Sequence, residues 1–108
     1  NGLAISYSKL GILNRDLENF EEALQFFKKE IELKKDLHEN HPQNVNFKNG
    51  LALAYQWIGW LLEDKMNDFT KAKPYYEKSK LLLDELATQF PAYIQFQKNL
   101  DWVNNKFS

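Results

Sequence analysis

A segment of this chain repeats itself, and the repeat constrains the fold before any residue is assigned to a helix or a strand. Asn1-Gly2-Leu3-Ala4-Ile5-Ser6-Tyr7 returns as Asn49-Gly50-Leu51-Ala52-Leu53-Ala54-Tyr55 at an offset of 48, and Leu10-Gly11 returns as Ile58-Gly59 in the same register. Asn19-Phe20-Glu21-Glu22-Ala23 is answered by Asp68-Phe69-Thr70-Lys71-Ala72 at an offset of 49. One residue has therefore been added between the two blocks, and the turn from Lys65 to Asn67 is its expected place. A partial third copy follows, in which His41-Pro42, Val45, Phe47 and Leu51 recur as Phe90-Pro91, Ile94, Phe96 and Leu100. A fixed period of this size marks stacked supersecondary units, each burying its apolar face against its neighbours. The 108 residues divide into a first unit 1–41, a second unit 42–90 and a partial third unit 91–108, read as one domain and as a fragment of a longer array.

Within each unit apolar residues recur at steps of three and four, with no stretch of period two, so the chain reads as all-α. Leu3, Tyr7, Leu10 and Asn14 share one stripe, and Phe20, Ala23, Phe27 and Ile31 share another. Five helices are predicted: Gly2 to Arg15, Phe20 to Asn40, Pro42 to Asp64, Phe69 to Gln89 and Pro91 to Phe107. Asn19 is expected to cap the second helix through its side chain with Glu22 reaching back, and Asp68, with Lys71 at the matching position, to be the weaker cap. Pro42 and Pro91 suit a first helical position. Pro74 falls inside the fourth helix and predicts a start displaced towards Lys71 or a kink. Gly11 and Gly59 each cost about 1 kcal/mol relative to alanine in a helix. Close approach to Ala23 and Ala72, with Phe27 and Tyr76 lying across the seam, is the compensation expected.

Tyr7, Leu10-Gly11, Phe20, Ala23 and Phe27, matched by Tyr55, Ile58-Gly59, Phe69, Ala72 and Tyr76, resemble the tetratricopeptide repeat. The unit departs from that family's pattern in its length of 48 or 49 residues, in Glu30 and Ser79 where a second alanine stands, and in the late Pro42 and Pro91. The longer unit is similar to a bacterial variety with extended helices. The resemblance implies a right-handed α-solenoid that binds protein or peptide on its concave face, with no cofactor and no catalysis, in a bacterial and cytoplasmic setting.

The residues themselves offer little chemistry. His38 and His41 flank Glu39 at a helix end with no third ligand in register, so they read as solvated histidines and not as a metal site. Glu21/Glu22, Glu63/Asp64 and Asp84/Glu85 are sequence neighbours that point about 100° apart on a helix and cannot act as one acid/base couple. Ser6, Ser8 and Ser79 lack a base, and there is no glycine-rich phosphate loop. No catalytic residue is proposed. With 14 Lys+Arg against 15 Asp+Glu the chain has no basic footprint for nucleic acid. The longest apolar stretch, Leu51 to Leu62, falls short of the roughly 20 residues a membrane-spanning helix needs. With no cysteine, the core rests on apolar burial, to which 3 Trp, 5 Tyr and 8 Phe contribute.

One feature bears on function. Leu53, Trp57 and Trp60 form a second apolar stripe on the third helix, apart from Tyr55, Ile58 and Leu62. Ile5, Lys9 and Ile12 correspond in the first unit, and Trp102 and Lys106 in the third. Stacking of the units would turn this stripe into a groove of Ile5, Ser8, Ile12, Leu53, Trp57, Trp60 and Trp102, with Arg15, Asp16, Gln56, Glu63 and Asn105 at its margins. Such a groove suits an amphipathic helix or an extended peptide. Burial between neighbouring helices is the competing reading, the better one for Trp57 and level with the groove for Trp60. Self-association through exposed ends such as Trp102, Val103 and Phe107 is the alternative role, and regulation of a catalytic domain elsewhere in a larger enzyme is another.

Overall fold

The computed structural model describes residues 2–107; the outer limits of the first and third units, Asn1 and Ser108, lie outside the described residues. Helix α1 (Gly2–Asp16) pairs with α2 (Phe20–Asn40), and α3 (Val45–Trp60) pairs with α4 (Phe69–Gln89), on which α5 (Ile94–Asn104) then packs. Helix α2 also packs on α3, so the two hairpins stack. There is no strand among the described residues. The shortest dimension of the molecule is 19 Å, about two helix diameters.

Each hairpin closes where an aromatic ring lies on a glycine. A Cβ built on Gly11 would stand 2.6 Å from Cε1 of Phe27, and one on Gly59 would stand 2.5 Å from Cε1 of Tyr76. Real Cβ atoms do not come so near a ring, so the absent methyl is the space that each ring occupies. Phe27, Tyr76, Ala23 and Ala72 are all buried at these seams. The two polar residues that stand where the repeat pattern has a second alanine are satisfied locally. Buried Glu30 pairs with Lys34 at 2.7 Å, and buried Ser79 Oγ donates to the Ala52 carbonyl at 2.8 Å.

The boundaries of α2 and α4 fall as expected, whereas α3 and α5 start three residues late. Pro42 and Pro91 are not first helical residues. Asn44 N–H donates to His41 O at 2.9 Å and Tyr93 N–H to Phe90 O at 3.0 Å, so each proline occupies the second position of a turn, where its fixed φ serves equally well. Asn44 then caps α3, its Oδ1 accepting from Phe47 N at 3.0 Å. The caps are also the reverse of expectation. Asp68 Oδ1 accepts from Lys71 N at 3.0 Å, while Asn19 makes no side-chain cap bond and donates instead to Asn14 Oδ1 at 3.5 Å. Helix α4 is not displaced by Pro74: it begins at Phe69 and runs through the proline, and Pro74 and Thr70, four residues before it, are both exposed. The added residue lies in α3 and not in the loop, since α3 ends in a π-helical turn, Leu61–Lys65, in which Met66 N donates to Leu61 O at 3.1 Å.

Helix α1 shows what stacking does to the remaining faces. Leu3 and Leu13 are each 53% exposed, whereas their repeat counterparts in the second unit, Leu51 of α3 and Leu61 of the π-helical turn, are 3% and 0%. The difference is α2, which covers α3 and has no counterpart on the outer side of α1 among the described residues.

Gly59→Ala and Gly11→Ala are expected to lower the urea midpoint, because overpacking of about 1–3 kcal/mol outweighs the helix-propensity gain. Gly50→Ala, whose new Cβ meets only Lys34 Nζ at 4.0 Å, is expected to raise the midpoint in the same assay, by a stability gain of up to about 1 kcal/mol. Asp68→Ala is expected to cost about 1 kcal/mol, and Asn19→Ala no more than a few tenths.

Candidate functional site

Because α3 is packed on one side by α2 and on another by α4, its apolar residues divide into two sets. Leu51, Ala52, Ala54, Tyr55, Ile58 and Gly59 are buried among helices. Leu53, Gln56, Trp57 and Trp60 are left on the remaining face and, with Trp102 of α5, line a cleft of about 390 Å³. Trp57 is 45% exposed and Trp102 39%; Trp60 is half-buried. The rings are held at fixed angles: Trp57 and Trp60 meet edge to face at 88° and 6.1 Å, and Trp102 stands on Tyr76 at 72° and 5.9 Å. Gln56 Nε2 donates to the Asn99 carbonyl at 3.2 Å, which ties α3 to α5 beneath the cleft.

Three cations border these rings. The Arg15 guanidinium lies 5.3 Å from the Trp57 ring and 5.8 Å from that of Trp60, Lys65 is 5.4 Å from Trp60 and Lys106 is 4.7 Å from Trp102. Each cation also has a carboxylate. Arg15 binds Asp16 at 3.0 Å, Lys65 lies 3.7 Å from Asp64 and Lys106 3.1 Å from Glu63. Glu63 Oε1 further accepts the hydroxyl of Tyr76 at 2.8 Å, so the ring that fills the Gly59 seam also anchors the edge of the cleft.

The structure thus brings together Leu53, Gln56, Trp57, Trp60 and Trp102 and sets Arg15 against two of them. It does not bring in the rest of the predicted groove. Ile5 lies beside a separate hollow with Ala4, Lys34 and Phe47, Ile12 packs against the core, and Ser8 and Asn105 do not line the cleft. The periodicity of 3.6 missed Lys65, because the π-helical turn is what carries it back to Trp60; Tyr76 read only as a seam residue, and Asn99 had no signal at all. Of the ends expected to be exposed, Val103 is fully buried and Phe107 packs on the core. His41 has its ring edge-on to Phe47 at 5.6 Å, and among the described residues no group of three His, Asp or Glu is placed to hold a metal ion. No helix among them is long and apolar enough to cross a membrane.

A family model described as tetratricopeptide repeat matches residues 4–37 and 52–82, more than half of the chain. Comparison with curated proteins and with solved structures gives no match.

Burial, and then the hydrogen bond to Glu63, push the Tyr76 hydroxyl above its ordinary pKa; burial, and then Glu32 and Glu39, do the same to Tyr55. The folded chain therefore holds these protons when the unfolded chain has begun to lose them near pH 10, so stability is complete below that pH and declines above it. The decline is expected to reach at most about 1.4 kcal/mol per pH unit for each tyrosine. Urea unfolding between pH 8 and pH 11 checks it, and Tyr76→Phe is expected to flatten the curve.

Proposed function

The chain belongs to the tetratricopeptide repeat family, and from that premise we propose that it is a protein-binding module that takes a peptide segment into the cleft between α3 and α5. Repeats of this family generally serve as non-catalytic scaffolds for protein–protein interaction. The observation that carries the reading to a particular place is the set of three indoles held partly in solvent around one cleft. Folding removes tryptophan surface from water wherever packing permits, and aromatic rings gathered at a surface are the usual anchors of a binding site. The walls of this cleft belong to helices fixed on their other faces, so little ordering is left to be done on binding. No side chain in the cleft is assigned a role as acid, base or nucleophile.

The exposed leucines of α1 favour a second reading, in which the module associates with another helix or another copy through that end. Leu3, Leu10 and Leu13 lie at i, i+7 and i+10 and are all exposed, whereas their repeat counterparts Leu51, Ile58 and Leu61 are buried. Sedimentation equilibrium over a concentration series tests this: association that Leu13→Glu abolishes supports it, and a monomer at the highest concentration removes it.

For the cleft, peptides selected from a random-sequence library on the intact chain are expected to bind Trp60→Ala at least about tenfold more weakly, on the scale of a modest anchor residue. The variant should keep its helicity and a cooperative thermal transition. Equal affinity for the variant contradicts the reading, and a collapsed transition assigns Trp60 to the core.

A further inference from the structure

If the cleft is a peptide site, its lining also restricts the peptide, and the restriction can be read from charge and from hydrogen-bond donors. Each indole already has a resident cation: Arg15 for Trp57 and Trp60, Lys65 for Trp60 and Lys106 for Trp102. A lysine-rich or quaternary-ammonium guest would add like charge beside those cations. An acidic guest fares no better. Asp16, Asp64 and Glu63 sit within ion-pair distance of the same three cations, so the rim is balanced and a guest carboxylate would have to displace one already there. The complementary guest is uncharged.

It must also accept hydrogen bonds. The indole N–H groups of Trp57, Trp60 and Trp102 donate to no acceptor among the described residues. A helical guest has already spent its backbone carbonyls within the helix. A chain in the polyproline II conformation keeps every carbonyl free, turns once in three residues over about 9 Å, and reaches the site with little conformational freedom left to lose. The cleft, about 390 Å³, is at the small end of the ~300–1,000 Å³ range of ligand sites, a size for one such turn.

We propose that the cleft between α3 and α5 takes a proline-rich segment in the polyproline II conformation, its pyrrolidine rings against Trp57, Trp60 and Trp102 and its carbonyls accepting from their indole N–H groups. The proposal rests on the peptide reading of the cleft and adds the class of peptide.

The test is a titration of the intact chain, followed by tryptophan emission, with a proline decapeptide, an uncharged amphipathic helical peptide and a glycine-serine peptide. The proline peptide is expected to give a saturable change and the other two none. Trp57→Phe and Trp60→Phe, which keep an aromatic face and delete the N–H, are expected to weaken proline binding by about fivefold to tenfold each, as read by calorimetry. Absence of saturable binding by the proline peptide, or equal affinity in both Phe variants, would overturn the proposal. Tighter binding of the helical peptide, lost in Trp60→Ala, would overturn the proline assignment and leave the peptide reading of the cleft intact. Library-selected peptides indifferent to Trp60→Ala would remove both.

Discussion

An aromatic ring seated on a backbone without a side chain is the contact on which this structure depends. Phe27 on Gly11 and Tyr76 on Gly59 occupy the space where a Cβ would stand, and each hairpin can close only to the extent that this space exists. A glycine inside a helix is unfavourable on its own. The cost is offset at both sites by a ring that would otherwise hold the two helices apart, and the two hairpins repeat the solution with different rings.

The difference between those rings connects packing to the candidate site. Tyr76 carries a hydroxyl and α3 supplies Glu63 to receive it. Phe27 has none, and the repeat counterpart of Glu63 is Arg15, which turns to Trp57 and Trp60 instead. The carboxylate bound to Tyr76 also holds Lys106, and Tyr76 itself supports the edge of Trp102. Thus the residue that closes the second hairpin also fixes one wall of the cleft, and in the first hairpin, where Phe27 needs no acceptor, the matching position carries a guanidinium, paired with Asp16, that borders the other wall. The π-helical turn adds to this arrangement by bringing Lys65 against Trp60. An added residue has been absorbed inside a helix beside the cleft, where it changes which side chains meet.

Much of this was legible in the sequence because repetition tests each assignment twice. The glycine, alanine and aromatic positions recur in register, and that recurrence identifies the seams and the two hairpins. Four of the side chains that line the cleft, Leu53, Trp57, Trp60 and Trp102, lie on the second apolar stripe, carried from α3 to α5 by the same offset, and Gln56 lies at its margin. What was not legible has local causes. Proline has the same fixed φ in a turn and at a first helical residue, so Pro42 and Pro91 fitted both. Asn19 and Asp68 are both good caps by residue type, and only the turn geometry shows that Asn19 is engaged with Asn14. Ile5 shares the stripe of Leu53 by alignment, yet it lies beside a different hollow, because the cleft needs a helix on each side and Trp102 supplies that only near α3.

The most direct measurement is a proton NMR spectrum of the intact chain with nuclear Overhauser contacts assigned at the two glycines. A ring lying on the backbone shifts the α-protons of Gly11 and Gly59 upfield and gives cross-peaks from Gly11 to the Phe27 ring and from Gly59 to the Tyr76 ring. Unshifted glycine α-protons with no cross-peak to either ring would contradict the seam, and with it the placement of everything built on it.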